Sequence, residues 1–116
     1  MLAIQLSLKT DKMRTAKNAR FYTTKRLGNT YFAITTDFLD NYLPTEAELE
    51  KCKVTGLTNF FELYDDDGHK YYSGFANWDL MAENGMDEFT ILDIATGYAG
   101  CTYMMAENKE GRMEMV

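Results

Sequence analysis

A single histidine, a single proline and two cysteines are all that this 116-residue chain holds of those residue types. One proline alongside 46% hydrophobic and 14% aromatic residues excludes disorder, collagen-like repeats and low-complexity linkers. Cys52 and Cys101, forty-nine positions apart, make neither a disulfide framework nor a zinc site and read as small buried apolar residues. No apolar run approaches the roughly 20 residues of a membrane span. At the N-terminus the basic residues follow the apolar ones, the wrong order for a secretory signal. A cytoplasmic protein without membrane contact is the expectation.

Catalytic chemistry finds few residues to use. His69 falls opposite Asp66 in the expected register, and such a pair can serve as a base with its orienter. No nucleophile motif accompanies it, so it reads as an exposed turn histidine. Asp65-Asp66-Asp67-Gly68 invites comparison with a calcium loop, but Leu63 and Gly74 occupy positions where that loop needs acids. Gly97-Tyr98-Ala99-Gly100 is too short for a phosphate cradle. No enzyme, cofactor or metal is expected.

What the chain does have is divided charge. Residues 1–27 carry Lys9, Lys12, Arg14, Lys17, Arg20, Lys25 and Arg26 against Asp11 alone, a net +6. The five other basic and seventeen other acidic residues give residues 28–116 a net −12. Either a basic arm folds onto an acidic body, or two faces attract different partners.

One domain is expected, with short strand patterns separated by turn signals. Leu2, Ile4, Leu6 and Leu8 alternate with small or polar residues, as a half-buried strand requires. Thr10 can cap a short helix to about residue 18. Residues 20–36 read as a hairpin turning at Gly28-Asn29. Helices follow at Asp37–Leu43, capped by Thr36, and after Thr45, where Glu48 completes a capping box and Gly56 marks the stop. Residues 58–64 and 69–75 form the clearest hairpin around Asp67-Gly68. Its register pairs Phe60 with Phe75, Leu63 with Tyr72, Tyr64 with Tyr71 and Asp65 with Lys70. Both of its faces then carry aromatics, so either both are covered or one binds something. Asn77 caps a helix over Trp78–Glu83 that ends at Asn84-Gly85. Residues 88–95, 101–106 and 112–116 read as a closing meander. The sum is an α+β fold: a curved, barrel-like antiparallel sheet of about seven short strands with two to four short helices.

Two surface features can carry function. Acids beside aromatics (Asp37, Asp40, Tyr42, Glu46, Glu48 and Glu50, then Tyr64, Asp65, Asp66 and Tyr71) suit a basic groove on a partner protein, with rings as anchors and carboxylates steering. Ordinary solvation also accounts for such acids. By analogy of size and charge, the expectation is a non-enzymatic inhibitor or modulator of a nucleic-acid-handling enzyme, of the phage or mobile-element counter-defence type. The alternative is a nucleic-acid-binding module working through Lys9, Lys12, Arg14, Lys17, Arg20, Phe21, Tyr22, Lys25 and Arg26. The charge split also suggests a homodimer, arm to body.

Overall fold

The Asp65–His69 turn organises the sheet. In the computed structural model, which describes residues 31–116, the Asp65 carboxylate accepts the backbone N–H groups of Asp67 (3.0 Å) and His69 (2.9 Å). Gly68 takes the left-handed conformation (φ 83°), where a side chain is strained. This turn joins β2 (Asn59–Tyr64) to β3 (Lys70–Ala76). Phe60 pairs with Phe75 and Leu63 with Tyr72, as the sequence predicts. Beyond Leu63 the register shifts, and Tyr64 faces Lys70 instead of Tyr71. Asp65 closes against His69 rather than Lys70, its N–H meeting the His69 carbonyl at 3.1 Å. The carboxylate gathers the turn's amides onto itself and leaves Tyr71 as the extra residue of a bulge.

β1 (Phe32–Asp37) pairs antiparallel with β3, and every one of its residues is buried. The helix predicted over Asp37–Leu43 is not formed. Asp37 ends the strand, its carboxylate accepts the Leu39 and Asp40 N–H groups, and its backbone exchanges two hydrogen bonds with Tyr42. Asn41 adopts a positive φ of 56°. An aspartate that satisfies nearby amides offers the chain a turn in place of a helix.

Helix α1 (Glu46–Val54) starts as predicted. The Thr45 hydroxyl accepts the Glu48 N–H at 3.1 Å, and the Glu48 carboxylate accepts the Thr45 N–H at 2.9 Å. Gly56 follows its end at φ 81°. Helix α2 (Trp78–Glu83) is capped by Asn77, which accepts the Leu80 N–H at 2.9 Å, and it too matches the prediction.

Residues 88–95 are not a strand. They open helix α3 (Glu88–Ala99), which Gly100 caps in the left-handed conformation. Ile91, Ala95 and Tyr98, spaced by four and three, are its buried stripe. Their helical period overrides the strand preference of the local composition. β4 (Tyr103–Glu107) and β5 (Met113–Met115) complete the sheet, joined by the predicted turn at Asn108–Gly111.

The strand order is β1-β3-β2-β4-β5, antiparallel throughout, and the sheet is open rather than closed into a barrel. It has five strands and three helices among the described residues, fewer strands than predicted. One predicted strand is α3; those at 2–8 and 20–26, with the helix near 10–18, lie outside the described residues.

One face of the sheet builds the main core. Phe61, Leu63, Tyr72 and Met104 pack under Met81 of α2 and Ile91, Ala95 and Tyr98 of α3. Burying each large apolar side chain contributes about 1.5–3 kcal/mol. Phe32 and Trp78 both approach Phe61, at 6.5 Å between ring centroids, and the Trp78 indole N–H donates to the Glu107 carbonyl at 2.7 Å. No described helix is long and apolar enough to cross a membrane.

Candidate interaction surface

Among the described residues, the opposite face is only partly covered. Helix α1 lies across its β1 end, where Ala33, Cys52 and Leu57 form a small core with Phe75 beside it. Cys52 is the one buried side chain of that helix. Strand pairing lays the rest out in rows. Phe60 sits beside Phe75 (5.4 Å), Glu62 beside Met105, Met105 beside Met115, and Tyr64 between Lys70 and Tyr103. Tyr64 and Tyr103 stack, while Met113 and Met115 on the outer strand are exposed. Aromatic and methionine side chains offer area and adaptable packing, the composition that interface cores favour.

The charges inside this surface neutralise one another. Lys70 Nζ donates to Glu62 Oε2 at 2.6 Å, and the Tyr64 hydroxyl donates to Glu62 Oε1 at 2.9 Å. Lys70 Nζ also lies 5.4 Å from the centre of the exposed Phe38 ring. The hydrogen bond from Lys70 to Glu62 raises the lysine pKa, more than partial burial lowers it. Tyr64 is raised by burial first and then by Glu62, so its phenol stays neutral.

Beside the covered end, α1 and the sheet leave a cleft of about 600 Å³. Leu49, Leu57 and Phe75 make its apolar wall, and Glu46, Glu50 and Lys53 stand at its rim. Lys53 is 3.7 Å from Glu50, both well exposed.

The sequence-predicted contact residues separate. Asp37 is fully buried and committed to its turn, so it presents nothing to a partner. Tyr42 is half-buried, and the Glu48 carboxylate serves the capping box. Asp40, Glu46 and Glu50 are exposed. At the hairpin, Asp66 is exposed and Asp65 half-buried in its turn. Tyr64 lies on the open face, whereas Tyr71 packs against the main core. The bulge divides a pair that the expected register put together. The basic segment from Lys9 to Arg26, with Phe21 and Tyr22, lies outside the described residues. Sequence reasoning passed over Tyr103, Met105, Met113 and Met115, although their alternation along two strands marks one face.

His69 is exposed as predicted, but its Nδ1 approaches Asp65 at 3.5 Å rather than Asp66. Asp65, Asp67 and His69 bring one ligand-type atom each within 4.8 Å of one another. Asp65 already uses that cluster to hold two backbone amides. Neither thiol is activated. Cys52 is raised by burial and then by Glu48, and Cys101 is pushed up to about 12 by burial.

No family model, curated protein or solved structure matches the chain.

Proposed function

We propose that this chain is a non-enzymatic cytoplasmic interaction module that occupies a basic, nucleic-acid-binding site on a partner protein, as an inhibitor or modulator. One observation carries the reading. Among the described residues, nothing covers the ring-and-methionine surface of the sheet, which belongs to a body of net −12 with Asp40, Glu46, Glu50 and Asp66 exposed. Apolar anchors bind, while a surrounding negative field draws a cationic target and sets orientation. A phage or mobile-element role fits the size and charge.

The test is affinity capture from native cells with Asp40→Lys/Glu46→Lys/Glu50→Lys and Tyr103→Ala variants in parallel. A basic protein retained by the parent and lost with either variant is the expected result. Retention that ignores the charge reversals overturns the reading. The competing nucleic-acid module, supported by the +6 segment, predicts salt-sensitive DNA or RNA binding that collapses on Lys17→Glu/Arg20→Glu. A homodimer would set the basic segment of one chain against the acidic body of another; a monomer at low and high salt excludes it.

A further inference from the structure

We infer that the cleft between α1 and the sheet is an anchor pocket for an apolar side chain carried on a basic segment of the partner. The inference rests on the interaction reading above and names the element recognised. Three observations converge. The cleft has an apolar wall of Leu49, Leu57 and Phe75 and an open volume of about 600 Å³, room for a large apolar side chain. Its rim carries Glu46 and Glu50, one helical turn apart on α1. Among the described residues, Lys53 is the one rim cation and is matched by Glu50 at 3.7 Å, and Glu46 has no ion-pair partner.

An occupant of this cleft meets hydrocarbon at the bottom and carboxylate at the mouth. A leucine or phenylalanine flanked by lysine or arginine fits both: the ring or branched chain leaves water, and the cations stay at the wet rim. An acidic segment would bring like charges together at Glu46. Phe75 also touches Phe60 on the open face, so a bound segment can run from the cleft onto the exposed rows of the sheet.

The experiment uses the full chain with methyl-labelled leucines and three synthetic peptides, Lys-Arg-Leu-Phe-Lys-Arg, Lys-Arg-Gly-Gly-Lys-Arg and Glu-Asp-Leu-Phe-Asp-Glu. The expected result is saturable shifts of the Leu49 and Leu57 methyl resonances with the first peptide. Affinity should fall at least about tenfold with either other peptide. Leu49→Asp, at a partly exposed position, and Glu46→Lys/Glu50→Lys should each weaken the first peptide to a similar degree, while Val54→Ser, on the same helix away from the cleft, leaves it unchanged. Equal binding of the Leu-Phe and Gly-Gly basic peptides overturns the anchor pocket and leaves the acidic-surface reading standing. Equal binding of the basic and acidic Leu-Phe peptides overturns the charge-led reading itself. Shifts confined to other residues, or no saturation by any peptide, overturn the pocket.

Discussion

Tyr64 and Tyr103 stack face to face across the β2–β4 pairing, their ring centroids 5.0 Å apart and their planes 7° from parallel. Both rings remain partly open to water. Such pairs add about 0.5–1.5 kcal/mol beyond area burial. A double-mutant cycle of Tyr64→Leu and Tyr103→Leu in urea should return a coupling of that size. Additive single effects would refute the contribution.

Gly74 is required for close approach of strands. A Cβ there would press on the Ala33 carbonyl oxygen and lie 2.8 Å from Phe61 Cζ. Gly74→Ala should therefore cost about 3 kcal/mol, since the obstacle is backbone that cannot move aside. Gly97, helical and open on all sides, gives the opposite sign: Gly97→Ala should stabilise by about 0.5–1 kcal/mol. Equal effects at the two sites in chemical denaturation would contradict this contrast.

The Tyr72 hydroxyl is buried and has no hydrogen-bond partner among the described residues. Burial, and then the negative charge of Asp37, raises its pKa and keeps the phenol neutral. An unsatisfied buried hydroxyl is costly, so Tyr72→Phe should raise stability by about 1 kcal/mol. A loss of that size instead would reveal a partner for the hydroxyl.

Asp65 links the hairpin to pH. The hydrogen bond from the His69 backbone N–H leads the causes that hold its carboxyl below the ordinary value. The folded chain then releases this proton more readily than the unfolded one. Its contribution is complete above about pH 4 and drains away as pH falls through the lower folded value. Asp65→Asn should lower the urea midpoint near neutrality and converge with the parent in acid. Curves that stay parallel across this range would sink the assignment.

Local chemistry was the legible part of this sequence. Thr45 with Glu48, Asn77 with Leu80, and Gly68 at the turn each act within a few residues, and each forms the predicted cap or turn. Long-range packing was not legible. Glu88–Ala99 holds enough isoleucine, leucine and phenylalanine to suit a strand, and packing of the helically spaced Ile91, Ala95 and Tyr98 against the sheet outweighs that preference. Asp37 and Asp65 misled for a shared reason: a carboxylate that captures neighbouring amides redirects the backbone, and sequence displays the charge but not the captured bonds. Hence Asp37 looked like surface and is interior, and Tyr71 looked like the neighbour of Tyr64 and lies behind it.

Among the described residues, Cys52 is the one side chain that α1 buries. Whatever fills the gap beneath α1 adds contact to the helix, so ligand capture and helix docking draw on one shared free energy. Amide exchange along Leu49–Lys53 would slow on occupancy, and substitutions that pin the helix in advance would tighten capture without touching the ligand.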